Sequence, residues 1–234
     1  MIAREGYHLI AIGVIATTAL ILLASKYDSK SLFVVSLLLA VLTLFTTFFL
    51  RDPNRSSSDE PGVLVAPADG KVVAIETLED HPFVGGQAVK VSIFLSVFDV
   101  HVNRVPTAGA IDFVRYNPGK FFAAFEDKAS DLNEQTEIGM TASSGHKVVF
   151  KQIAGLIARR IICHLKEGDS VSTGDRFGMI RYGSRADLIA PAGTEIKVMI
   201  GDHVAAGESV LGYLPMTAQP FSQENNAQGN GIEI

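Results

Sequence analysis

The residues best suited to chemistry are a Gly-Ser pair, Gly183-Ser184, within Arg181-Tyr182-Gly183-Ser184-Arg185-Ala186-Asp187. A serine that follows glycine in a tight turn can attack the preceding carbonyl when the backbone is strained there. Glycine supplies an unhindered carbonyl, and serine supplies both the nucleophile and the leaving oxygen. The chemistry this suggests is self-cleavage that leaves a new reactive chain end. Taken alone, the same pair reads as an ordinary turn. Asp69 lies in Pro67-Ala68-Asp69-Gly70, and His101 in Asp99-Val100-His101-Val102-Asn103-Arg104. Singly, Asp69 before glycine is a turn former and His101 a structural residue. Arg159 and Arg160 are adjacent in an expected strand and so point to opposite faces. One of them could meet a phosphate or carboxylate, with a structural ion pair as the competing reading. His146, His164 and His203 have no comparable setting, and no metal-ligating constellation is evident.

The Gly-Ser pair lies between two copies of one turn pattern. Gly168-Asp169-Ser170-Val171-Ser172-Thr173-Gly174-Asp175 is echoed, 33 residues on, by Gly201-Asp202-His203-Val204-Ala205-Ala206-Gly207-Glu208. The repeat predicts two similar β-hairpins packed face to face. The Gly-Ser pair would then occupy the connection where a lipoyl- or biotinyl-type domain carries its modified lysine. Apolar and alternating runs predict strands at 63–65, 71–75, 89–95, 148–153, 159–165, 177–181, 195–200 and 209–214. Residues 120–132 read as helical or irregular, and their Lys120-Phe121-Phe122 stretch suits either a bilayer surface or core packing. The end, 215–234, is rich in Gln, Asn and Gly and is expected to fray.

These elements sit behind a very apolar start. Residues 7–24 and 32–50 carry no acidic or basic side chain except His8. At roughly 1.5 Å per helical residue, each run approaches the ~30 Å of bilayer hydrocarbon. The polar connector 25–31 suits a helical hairpin. A cleaved signal peptide and a buried pair of soluble helices are the competing readings. Basic residues fall on both sides of the runs and do not orient the hairpin. The single cysteine, Cys163, rules out an intramolecular disulfide framework. A net charge of −5, with no basic stripe, argues against nucleic acid as a partner. The expected fold is mostly β, a barrel-sandwich or lipoyl-like set of paired hairpins with some α, plus an N-terminal transmembrane helical hairpin. The expected division is an anchor at 1–55, a catalytic β-rich domain at 56–214 and a tail at 215–234.

Several motifs together resemble the short-form phosphatidylserine decarboxylases. They are Phe49-Leu50-Arg51-Asp52-Pro53, Pro67-Ala68-Asp69-Gly70-Lys71-Val72, Phe98-Asp99-Val100-His101-Val102-Asn103-Arg104, Asn133-Glu134, and the stretch from Gly155 through Gly183-Ser184-Arg185. The resemblance implies that Ser184 attacks the Gly183 carbonyl and becomes a pyruvoyl group, the cofactor, with which a substrate amine condenses as a Schiff base. It implies that Asp69 and His101 activate Ser184, the carboxylate orienting the imidazole and the imidazole taking the hydroxyl proton, with Asp99 able to substitute in orienting the ring. The substrate implied is phosphatidylserine, and the product phosphatidylethanolamine. The large chain 1–183 and the small chain 184–234 would remain a heterodimer, with a higher oligomer left open. The implied location is the cytoplasmic face of a bacterial inner membrane, among membrane lipids. Longer members of the family have two histidines three residues apart, whereas this chain has His101 and then Arg104. Whether His101 serves self-cleavage, substrate protonation or both therefore stays open. A related serine phospholipid as substrate, and a non-enzymatic membrane-anchored lipoyl-like adaptor, are the alternatives.

Overall fold

The computed structural model describes residues 1–58, 60–119, 133–155, 161–180 and 184–216. A 3-10 turn at Arg4–Gly6 leads into α1 (Tyr7–Lys26), and α2 (Lys30–Phe49) runs back beside it. The reversal is tight because Asp28 adopts the left-handed φ of 47° and the Ser29 hydroxyl accepts a bond from the Leu32 N–H that opens α2. A Cβ on Gly13 would lie 2.6 Å from Thr43 Oγ1, so the missing side chain lets the helices approach closely. Both helices are long and apolar enough to cross a membrane, with mean hydropathy 2.2 and 2.5. Only 6% and 11% of their apolar windows are covered by protein. A soluble core helix would be mostly covered, so the buried-pair reading loses its basis.

The remainder is β. In chain order the strands are β1 (Val63–Val65), β2 (Gly70–His81), β3 (Gly86–Leu95), β4 (Val102–Arg104), β5 (Gly109–Asn117), β6 (Gln135–Ala142) and β7 (Lys147–Ile153). They continue as β8 (Ile161–Cys163), β9 (Ser170–Val171), β10 (Arg176–Ile180), β11 (Ser184–Pro191), β12 (Glu195–Ile196), β13 (His203–Val204) and β14 (Val210–Tyr213). Eight form one sheet in the order β13-β2-β3-β11-β7-β6-β5-β9. Two three-stranded sheets, β1-β14-β12 and β4-β10-β8, accompany it. The main core draws on all three sheets, with Leu64, Ile93, Ile138 and Leu211 around Phe150 and Phe177, whose rings meet edge to face at 5.0 Å.

The strand order is symmetric about the β11–β7 pair. β3, β2 and β13 lie on one side in the same sequence as β6, β5 and β9 on the other, and the two small sheets match in the same way. One unit, β4 to β10, is continuous in the chain. The other comprises β1 to β3 and β11 to β14, so the first unit is inserted into the second. The Gly-Asp repeat marks equivalent corners. Gly168 N–H donates to Ile111 O as Gly201 N–H does to Val72 O. Gly174 N–H donates to Val105 O as Gly207 N–H does to Ala66 O. Asp169 and Asp202 each accept from the backbone N–H three residues earlier. The corners pack face to face, since a Cβ on Gly207 would lie 3.5 Å from the Gly174 Cα. Each copy passes from the large sheet into a small one: β9 pairs with β5 and β10 with β4, as β13 pairs with β2 and β14 with β1.

Candidate active site

Ser184 opens β11, the strand held between β3 and β7. It pairs with Leu95 and is fully buried, and its hydroxyl has no hydrogen-bond partner among the described residues. Small apolar residues surround it: Leu95 and Ala186 pack with Ala68 of the Pro-Ala-Asp-Gly turn. That turn is tied to the His101 segment by Asn103 Nδ2 and by Arg104 N–H, both donating to Pro67 O. Gln152 on β7 closes the group by donating from Nε2 to Asn103 Oδ1 and Ile162 O, its own Oε1 buried without a partner among the described residues. Segments far apart in the chain, at 67–69, 101–104, 152 and 184–186, are thus brought into one buried neighbourhood.

His101 is the second group there with an unmet hydrogen-bonding atom. Its Nδ1 lies 2.8 Å from the Asp99 carbonyl oxygen. A carbonyl only accepts, so Nδ1 carries the proton and Nε2 is a bare acceptor. Nε2 is buried and has no partner among the described residues. Burial pushes the imidazole pKa down to about 4, against the opposing pull of the Asp99 carbonyl and carboxylate. The ring of Phe49, the last residue of α2, lies over His101 at 4.1 Å between centroids.

Asp69 is held elsewhere. One carboxylate oxygen accepts from Ala206 N–H at 2.8 Å and the other from Arg55 at 2.8 Å. Burial raises its pKa, and the Ala206 bond and the Arg55 charge counter this. The residue that orients the imidazole is Asp99, through its backbone, while the Asp99 carboxylate accepts from Ser96 N–H and Oγ. Arg104, where longer relatives are expected to have a second histidine, donates to Asp52, Pro53 O and Gly174 O and braces the anchor junction. Gly183, Arg159 and Arg160 lie outside the described residues, as do the 120–132 stretch and the tail beyond 216.

Sequence reasoning missed a buried ion pair directly after the serine. Arg185 donates from Nε to Asp187 at 2.7 Å and from Nη2 to Ser92 Oγ at 2.6 Å, all three residues being buried. Their spacing of two on one strand puts both charges on one face, a signal present in the sequence. Asn103 and Gln152 carried no such signal, because their contact depends on how β4 meets β7. Among the described residues no three His, Cys, Asp or Glu side chains converge on a metal site.

The model of the phosphatidylserine decarboxylase family matches residues 42–212. The chain belongs to that family. It is 44% identical over 213 residues to the phosphatidylserine decarboxylase proenzyme of Desulfotalea psychrophila, covering 91% of this chain and 96% of that one. The proenzyme of Citrifermentans bemidjiense is 46% identical, over 92% of this chain and 97% of its own. That of Symbiobacterium thermophilum is 45% identical, over 92% and 96%. Family membership makes the chain an enzyme, a decarboxylase, and removes the non-enzymatic adaptor reading.

Proposed function

We propose that this chain cuts itself between Gly183 and Ser184 and then converts phosphatidylserine to phosphatidylethanolamine. The observation that carries the reading is a complementary pair of buried groups without partners among the described residues, the Ser184 hydroxyl as donor and His101 Nε2 as acceptor, in a chain of this family. In the first step Ser184 Oγ gives its proton to His101 Nε2 and bonds to the Gly183 carbonyl carbon. The peptide C–N bond then breaks, the nitrogen takes the proton, and an ester remains. Removal of the residue-184 Cα proton expels the Gly183 carboxylate from Cβ. Addition of water and loss of ammonia leave a pyruvoyl end on the small chain. That group, once formed, supplies an electrophilic carbonyl that engages the substrate amine and takes up the electrons released with carbon dioxide.

The neighbourhood suits such a group. Ala68, Leu95 and Ala186 keep water away from the reacting end, and the bare acceptors of Gln152 and His101 can receive hydrogen bonds from a substrate amine. His101, neutral and correctly protonated at Nδ1, is the base for Ser184. Asp69, bonded to Ala206 N–H and Arg55, holds the turn whose Pro67 O accepts from Asn103 and Arg104 beside His101. Arg159 or Arg160 takes the headgroup phosphate or carboxylate. α1 and α2 hold the enzyme in the membrane, with the β body on the cytoplasmic face, and the two product chains stay together as a heterodimer.

Intact-mass measurement of purified protein tests this. The wild type should give chains of 183 and 51 residues, the shorter without a free amino terminus, and Ser184→Ala a single inactive chain of 234. Full decarboxylase activity from an uncut Ser184→Ala protein would overturn the mechanism.

A further inference from the structure

A cleft of about 860 Å³ lies between the N-terminal segment and the outer face of the β4-β10-β8 sheet. Met1, Arg4 and His8 line one wall, and Asp52, His164 and Arg176 the other. α1 begins at Tyr7 and α2 ends at Phe49, both beside this cleft. If the two helices cross a bilayer, the cleft opens at the depth of the lipid headgroups.

Its charges are unevenly matched. Asp52 is shared by Arg104 and Arg176, and Glu5 is taken by His164. Arg176 meets Asp52 through Nε alone, and its two terminal nitrogens have no partner among the described residues. Arg4 likewise has no ion pair there. Two guanidinium groups therefore face the opening with donors to spare, the geometry that suits a phosphate. Ile2, Tyr7 and Val102 add apolar wall, suited to the glycerol and first methylenes of a lipid. Neither Ser184 nor His101 lines the cleft. Val102 and Arg104 alternate with Asn103, so Asn103 and Gln152 face inward while the cleft lies outside.

We propose that this cleft is a headgroup site for an anionic phospholipid, separate from the reaction centre, with Arg4 and Arg176 as its phosphate ligands. The inference rests on the membrane placement of α1 and α2 and is independent of the decarboxylation.

The test uses the full-length, self-processed protein in detergent, titrated with phosphatidylglycerol, which has no amine to react. Native mass spectrometry reads the bound lipid, with phosphatidylcholine and inorganic phosphate as parallel arms. One tightly bound phosphatidylglycerol is expected, with phosphatidylcholine and free phosphate each at least about tenfold weaker, the scale of one charge-assisted pair. Arg4→Glu and Arg176→Gln should each weaken phosphatidylglycerol by about tenfold and leave decarboxylation of a short-chain substrate unchanged. Arg4 is exposed and unpaired, so Arg4→Glu remains informative if Arg176→Gln fails to fold. Equal binding by wild type and Arg4→Glu overturns the proposal. So does phosphatidylcholine binding as tightly, which indicates an apolar lipid shell, or inorganic phosphate binding as tightly, which indicates a free-anion site. Flotation of wild type and variants with phosphatidylcholine vesicles tests the membrane placement by itself, so that failure is distinguishable.

Discussion

His101 is neutral throughout the range in which the protein would work. Its pKa of about 4 lies below the ordinary 6.5, chiefly because it is buried. Between those values the unfolded chain binds more protons than the folded one, so stability rises with pH across the window. The contribution is complete above about 6.5 and is lost as pH falls through about 4, on the order of 3 kcal/mol in all. Denaturant unfolding of uncut Ser184→Ala at pH 7 and pH 4.5 should show this slope, and His101→Gln in the same background should flatten it. In the otherwise native chain, His101→Ala and Asp69→Asn should both accumulate uncut 234-residue protein on a gel. Normal cutting with lost turnover would move His101 to the substrate step. Asp187→Ala strands the buried Arg185 guanidinium and should cost about 3–5 kcal/mol, read from thermal melting. At this scale the sequence exposed residue types and left their partners hidden. Asp69, His101 and Ser184 were readable as candidates, but the bond from His101 Nδ1 to the Asp99 backbone was not, because carbonyl partners leave no mark on side-chain identity.

Among the elements, α2 does more than hold the enzyme in place. Composition drew the boundary at 55/56, where the apolar run gives way to Pro and serines. Packing crosses that line: Phe49, Leu50 and Ala3 form one cluster with Val100, Val102 and Met179, and Asp52 ties Arg104 and Arg176 to the junction. A protein beginning at Ser56 keeps every catalytic candidate yet loses the ring over His101. Its self-cleavage should therefore slow by about tenfold or more. Phe49→Ala in the full chain should raise the His101 pKa toward 6.5, moving the acid limb of the cleavage profile upward. Cleavage at wild-type rate and unchanged pH dependence in both proteins would show that the ring is dispensable. The helical hairpin was fully legible because length and hydropathy suffice to specify it. β5 and β6 were not, since polar Gln135 and Thr136 are buried in β6 and Gly139 interrupts its alternation. The glycine is there for a ring: a Cβ would lie 2.1 Å from Phe113 across the pair.

The whole molecule is a duplicated unit in which one copy interrupts the other, and the proposed cut falls at the seam where the interrupted copy resumes. The small chain would carry β11 to β14, while β3 and β7, the neighbours of β11, and β1, the neighbour of β14, belong to the large chain. Cutting should therefore leave the two chains together in native buffer. Size exclusion should separate them only under conditions that also abolish the β circular dichroism. The 33-residue echo of Gly-Asp corners was visible in the sequence, but the insertion was not, because the matching strands share a place in the sheet and little composition. The central place of β11 has a further consequence for biogenesis. A ribosome delivers β11 to β14 last, so β3 and β7 wait with open edges until nearly the end of synthesis. Ser184 acquires its dry, enclosed setting only when β11 slots between them. The proposed cut would then work as proofreading: a chain would have to finish assembling before it could arm itself, and truncated or misassembled copies would stay inert. Chains stopped at residue 204, which lack β14, should remain uncut in cell-free synthesis while complete chains mature beside them.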